Sequence, residues 1–244
     1  ARVALANIDS HLEGLTVDAE TLNSVLVEVR DALWAIERDR LRNAEAILDL
    51  SQGAPHLSAL PGLMSIQTAL SAIDRLEVRG RDSAGLQIFV TNHELPDKAL
   101  QGARFGDPIL RSGATRNLGG HIAFVYKNAA EIGELGDNTR ALRTGIRSDE
   151  LLHQALAGSK SEVIVLGHTR WASVGVISEP NAHPLDSQEL GRTNGSYVTA
   201  VLNGDIDNYA DLTELHDLEI APEITTDAKI VPMLVSRELA TGSE

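Results

Sequence analysis

Cysteine is absent from the 244 residues, and aromatic side chains make up only 3% of them. The first absence excludes a disulfide frame, a thiolate metal site and a thiol nucleophile within these residues. The second means that any core must be built from Leu, Ile, Val and Ala. Basic charge is also scarce: 21 Lys and Arg stand against 35 Asp and Glu, a net charge of −14. That balance argues against nucleic acid as a partner, because a phosphate backbone is gripped by a basic surface that displaces counterions. It equally discourages docking on anionic lipid. No apolar run approaches the ~20 residues that span a bilayer, so no membrane partner is expected. Ala1-Arg2-Val3-Ala4-Leu5 lacks the basic-then-apolar layout of a signal peptide, and there is no initiator methionine. The expectation is a cytoplasmic chain that begins inside a longer gene product.

What is present organises into helices first and mixed elements later. Leu22, Val25, Leu26, Val29, Leu33 and Ile36 recur at three- and four-residue steps, which predicts helix over residues 1 to about 50, capped by Asp18 or Thr21. Glu37-Arg38-Asp39-Arg40 reads as its solvated face. Gly53-Ala54-Pro55 and Pro61-Gly62 predict two breaks. A second helix follows, burying Ile66, Leu70 and Ile73 and stopping near Arg79-Gly80. Leu86, Ile88 and Val90 alternate as in a strand, residues 92–120 read as loop, and Ile122 to Tyr126 as another strand. Asp149 is placed to cap a helix carrying Leu151, Leu152 and Leu156. Glu162 to Leu166 and Tyr197 to Leu202 read as buried strands, and a helix with Ile230, Met233 and Leu234 follows Asp227, its first turns disturbed by Pro232. Without regular βαβ spacing, a layered α/β sandwich is favoured over a doubly wound sheet.

Four short segments could carry chemistry, and each has an ordinary reading beside the functional one. Gly167-His168-Thr169-Arg170-Trp171-Ala172-Ser173 follows an apolar run, where Arg170 could hold a carboxylate by its bidentate fork. Ordinarily such an arginine pairs with one of the chain's own acids, and Trp171 is core. Asn203-Gly204 is ordinarily a hairpin turn, but an Asn amide beside a Gly N–H also makes the two donors of an oxyanion hole. Asp227 is ordinarily a helix cap, and could instead accept bonds from a ligand ammonium. His183, in Asn181-Ala182-His183-Pro184, reads as a structural loop histidine. Asn194-Gly195-Ser196 matches a glycosylation sequon but reads as a turn. Asp205-Ile206-Asp207-Asn208 lacks the Gly and Glu of a calcium loop, and the eight histidines show no metal spacing. Gly80 to Gly85 has its first glycine one residue too far from Ser83 for a nucleophile elbow. No metal and no cofactor is expected.

Taken in order, Glu77 to Gly85, Gly167 to Ser173, Asn181 to Pro184, Asn203-Gly204 and Thr226-Asp227 resemble the class II glutamine amidotransferase family, most closely its glutamine–fructose-6-phosphate aminotransferase branch. The resemblance covers residues 66 to about 241. It implies an α/β (α+β) fold, the four-layer αββα sandwich of the N-terminal-nucleophile hydrolases. The implied domains are a helical extension over 1–62 and a glutaminase domain over 63–244. By the same resemblance Arg170 binds the glutamine α-carboxylate and Ser173 adds a hydroxyl. Asp227 takes the ammonium, Asn203 and Gly204 form the oxyanion hole, Trp171 closes over the site, and Arg79 positions the N-terminal segment. The implied partners are glutamine as substrate, a downstream sugar-phosphate isomerase domain that receives the ammonia, and a second copy in a homodimer.

Three departures stand out. Val174 occupies the place of a family histidine at the glutamine site. The helical segment 1–62 replaces a much shorter connection. The family's N-terminal cysteine, whose thiolate attacks the glutamine amide with its own α-amino group as base, is missing. Either it lies upstream of Ala1 or it has been lost, and the joint presence of Arg170, Asn203, Gly204 and Asp227 favours the first. Other readings are a different class II amidotransferase, a glutamine-binding regulatory module without catalysis, and a structural interaction protein that docks through its first helices.

Overall fold

The computed structural model describes residues 19–53, 55–130, 134–192 and 195–242. Contacts divide the chain into two compact units, Ala1–Leu48 and Asp49–Glu244. The first is helical wherever it is described: α1 (Ala19–Trp34), a π-helical stretch (Ala35–Leu41), and most of α2 (Arg42–Leu50). The helical periodicity is borne out there, although Val25, Val29 and Ile36 stay exposed. Thr21 lies inside α1, and the alternative cap Asp18 lies outside the described residues, as does Asn194 of the sequon.

The second unit is α+β, built on antiparallel sheets. Its first helix, α3 (Leu60–Leu76), corrects one expectation: Pro61-Gly62 does not break the chain but opens this helix. Proline is tolerated in a first turn, where its missing N–H has no intrahelical partner to lose. Gly62 is needed for a different reason: a Cβ there would come within 2.8 Å of Val163 and 2.9 Å of Leu156, so the glycine lets helix and sheet approach. Ile66, Leu70 and Ile73 are buried as expected.

Four strands form the main sheet in the order β2-β3-β1-β4: β1 (Ser83–Thr91), β2 (Thr115–Asn117), β3 (His121–Ala129) and β4 (Glu162–Arg170). All neighbours are antiparallel. The predicted loop over 92–120 therefore carries one short strand. Register assigns the faces. Ala84, Leu86, Ile88 and Val90 share one side with Ile122, Phe124 and Tyr126 of β3 and with Val163 and Val165 of β4. Helices α3 and α4 (Asp137–Ser148) pack against this sheet. Each large apolar side chain buried there contributes roughly 1.5–3 kcal/mol.

Helix α4 was not anticipated from the sequence, because its composition is polar and only Leu142 and Ile146 face inward as apolar residues. Buried Glu77 fastens its start, accepting from the amides of Gly136 (2.5 Å) and Thr139 (2.7 Å). The next helix, α5 (Glu150–Leu156), begins as predicted: Asp149 caps it by accepting from the Leu151 and Leu152 amides.

Two strand expectations need correction. The apolar run 163–166 is not buried but belongs to an edge strand, with Ile164 68% exposed, and the strand continues through Arg170. Residues 197–202 contribute only β6 (Thr199–Ala200), half-buried and paired with β5 (Leu185–Asp186). The short β5–β6 sheet stacks on the other face of the main sheet: Gln87 donates to the Tyr197 hydroxyl, and Thr199 donates to Gln87 Oε1. A short helix, α6 (Tyr209–Leu215), was also unpredicted. Asp227 opens a 3-10 turn, Asp227–Lys229, that leads into α7 (Ile230–Thr241), and Pro232 sits buried in its first turn.

Candidate functional site

The end of β4 is clamped from both sides. The Asp82 amide donates to the Arg170 carbonyl (3.2 Å), and its carboxylate accepts from the Ala172 amide (2.8 Å). A Cβ on Gly80 would sit 3.0 Å from the Arg170 carbonyl carbon, so the turn after α3 lies directly against this strand end. Arg170 itself is only 5% exposed. Its Nη2 donates to the Val174 carbonyl, while Nη1 is buried and has no partner. No carboxylate among the described residues forms an ion pair with it, so the ordinary reading of this arginine fails. Burial pulls its pKa down, opposed by the charges of Asp227 and Asp82. Val174 thus contributes its backbone carbonyl.

The opposing wall is set by Asn181. Fully buried, it accepts from the Thr225 (2.7 Å) and Thr226 (3.0 Å) amides, and donates to the hydroxyls of Ser178 (2.9 Å) and Thr225 (3.1 Å). Gly175, at φ +85°, lets a second turn press on the Thr225–Thr226 backbone, where a Cβ would meet the Thr226 nitrogen at 3.0 Å. Asp227 is thereby held at the site, 4% exposed, accepting from the Ile206 (2.7 Å) and Ala228 (2.9 Å) amides. Those bonds, with one from the Thr226 hydroxyl (3.2 Å), leave part of the carboxylate's acceptor capacity for a ligand.

Between these walls lies a cavity of about 170 Å³. Arg170, Trp171, Ser173, Asn203, Gly204 and Asp227 line it together, as do His168 and His183. Six of the seven residues singled out from the sequence therefore converge. Arg79 does not: it is exposed in the turn after α3, its amide donating to the Leu76 carbonyl (2.8 Å). Trp171 is 76% exposed, against the ordinary reading of a core tryptophan. No hairpin forms at Asn203-Gly204, which lie in an exposed bend after β6. Ser173 donates to Asp205.

Sequence reasoning missed His168 and His183 as neighbours. Their rings pack at 4.7 Å between centroids, and burial lowers both pKa values, that of His183 to about 3. The only available signal was their presence in the two histidine-bearing motifs, since the contact itself depends on one sheet stacking on the other. A larger cavity, about 1100 Å³, opens beside Arg104, Tyr126 and Asp149, away from these residues. Among the described residues, no cluster of His, Asp and Glu could hold a metal ion. The arrangement at the smaller cavity suits one small zwitterion: a buried guanidinium with no partner for Nη1 among the described residues for its anionic end, and a buried carboxylate for its cationic end.

No family model matches the chain. Its sequence is similar to glutamine–fructose-6-phosphate aminotransferases (isomerizing). It is 28% identical to the human isoform 2 over 173 residues, 68% of this chain and 20% of that protein. It is 28% identical to the Leifsonia xyli enzyme over 181 residues, 73% of this chain and 21% of that one. Over 80 residues it is 45% identical to the Mesorhizobium japonicum enzyme, 32% of this chain and 12% of that one. The chain thus spans about a fifth or less of the length of these relatives. No helix among the described residues is long and apolar enough to cross a membrane.

Proposed function

We propose that this chain binds glutamine in the cavity at Arg170, as the glutaminase domain of an amidotransferase of the glutamine–fructose-6-phosphate aminotransferase type. Arg170 takes the α-carboxylate through its free Nη1, Ser173 adds a hydroxyl, and Asp227 takes the α-ammonium. The side-chain amide then points at Asn203 and Gly204, and Trp171 covers the ligand. Arg79, apart from the cavity, helps to position the N-terminal segment. The observation that carries this reading is the buried Arg170 guanidinium, which among the described residues lacks both an ion-paired carboxylate and a bond at Nη1. Burying such a group without a partner is costly, and an anionic ligand removes the cost. The names and similarity of the relatives support the same reading.

In the reaction proposed, a cysteine thiolate from outside these 244 residues attacks the amide carbon, with a terminal amine as base. The new C–S bond pushes charge onto oxygen, where Asn203 and the Gly204 amide receive it. The C–N bond breaks, ammonia leaves with the transferred proton, and water cleaves the thioester to glutamate. Ammonia passes to a sugar phosphate on an isomerase domain that is also outside this chain. The fold proposed is the four-layer αββα sandwich of N-terminal-nucleophile hydrolases over residues 63–244, with 1–62 as a helical extension, working as a cytoplasmic homodimer.

Calorimetry tests the site directly. The 244-residue chain binds L-glutamine, and Arg170→Ala removes about 2–5 kcal/mol of that affinity, enough to take it below detection. Unchanged affinity in Arg170→Ala sinks the assignment. Full-length protein releases glutamate and ammonia in equal amounts, and the cysteine-free chain hydrolyses nothing. Turnover by the cysteine-free chain would overturn the thiolate mechanism.

A further inference from the structure

The bend that carries Asn203 and Gly204 is pinned at both ends. On its far side the Ile206 amide donates to Asp227 (2.7 Å) and Asp205 accepts from Ser173. On its near side the Leu202 amide donates to Nδ1 of His183 at 3.3 Å. The two far anchors belong to the ligand site itself. His183 lines the same cavity but is 3% exposed and is held in place by surroundings of its own.

Three features fix that ring. Its carbonyl lies over Gly85, where any Cβ would overlap the carbonyl oxygen. Its ring packs on His168 with an interplanar angle of 36°. Two residues earlier, Asn181 is locked to the Thr225 and Thr226 amides. Burial, with His168, Arg170 and Lys127 nearby, keeps the imidazole neutral. A neutral imidazole that accepts at Nδ1 carries its proton on Nε2. The Nδ1 lone pair therefore faces the Leu202 amide, and the Nε2–H it implies is buried with no partner among the described residues.

We propose that His183 is a positioning residue whose Nδ1 holds the Leu202 amide, and so sets where Asn203 and Gly204 meet the side-chain amide of the ligand. This rests on the glutamine reading above. It assigns His183 to the amide end of the ligand and leaves the α-carboxylate end to Arg170.

The test compares L-glutamine with L-norvaline, which keeps the amino-acid end and lacks the amide. Both are titrated by calorimetry into the wild-type chain, His183→Leu and His183→Asn. The asparagine keeps a side-chain acceptor close to the place of Nδ1. His183→Leu is expected to weaken glutamine about tenfold and to leave norvaline within about twofold, while His183→Asn restores glutamine to within about threefold of wild type. Parallel loss of both ligands in His183→Leu, no loss of glutamine, or failure of the asparagine to rescue each overturns the assignment. Nitrogen NMR of the wild-type chain gives a check that needs no variant: His183 must be the Nε2–H tautomer, and Nδ1–H overturns the idea. A wild-type chain that binds neither amino acid overturns the glutamine reading, and this one with it.

Discussion

The two faces of the four-stranded sheet are made by the same strands yet serve opposite ends. On one, Leu86, Ile88, Val90, Ile122 and Phe124 are fully buried within the apolar core. On the other, register aligns Ser83, Gln87, Lys127, His168 and Arg170. Here Arg116, Lys127 and Lys229 gather around a single buried carboxylate, Asp186. Arg116 reaches it at 3.0 Å and Lys229 at 3.1 Å, and Lys127 Nζ has no hydrogen-bond partner among the described residues. Alternation of period two along β1 and β3 separates the two characters residue by residue. The apolar face holds the fold together, and the polar face spends part of that stability on burying charged groups.

Substitutions on either side of β1 should separate the two roles. The largest effect is expected from Ile88→Ala on the apolar face, a loss of about 2–5 kcal/mol from cavity formation. Denaturant titration measures it, and glutamine affinity of the folded fraction should not move. A parallel loss of affinity would show that the faces are not independent. Gly85→Ala, three residues away on the polar face, should cost stability of the same order, at least about 1–3 kcal/mol, because the new Cβ meets backbone rather than a side chain that can turn away. It should also weaken glutamine, because its Cβ overlaps the His183 carbonyl. An alanine variant with unchanged affinity would separate Gly85 from the site.

The last effect concerns pH. Burial pushes the Lys127 ammonium down to about 7, with Asp186 and Glu179 opposing, Lys229 and Arg116 reinforcing. Between about 7 and the ordinary lysine value of 10.5, the unfolded chain holds a proton at this position that the folded chain has released. Stability from this group therefore rises with pH across that window, and below it the full cost of the buried charge remains. Lys127→Met should flatten the rise and stabilise the chain near neutrality by about 1–4 kcal/mol, as replacing a buried charge often does. Urea titrations of both proteins from pH 7 to 10 measure the difference in slope. Identical slopes would mean that Lys127 stays protonated when folded.

Legibility from sequence followed the range of the interaction. Helix α3 and strands β1 and β3 were readable because a strong periodic pattern marks a buried face. The cap at Asp149 was readable because it is completed within three residues. Helix α4 escaped notice since it shows the core only Leu142 and Ile146 as apolar residues, and depends on Glu77 about sixty positions earlier to begin. Strand β4 was read as buried because an apolar run does not reveal whether a second neighbour covers it. At the site, Arg170, Asn203 and Asp227 stood out by motif. The roles of Asn181 and His183 did not, since their partners at Thr225, Thr226 and Leu202 lie 19 to 45 residues away.

By itself, the sequence determined what chemistry these residues can hold. It has no thiol, supplies an arginine at a strand end, and carries ordered motifs that resemble a glutamine site. Only the tertiary structure decided that Arg170 forms no ion pair among the described residues, that Arg79 stands apart from the cavity, and that one sheet face stacks polar groups on a second sheet. The reason is physical. Residue type and local periodicity set hydrogen-bonding capacity, but whether a buried group finds a partner depends on which distant segments the fold brings within about 3 Å.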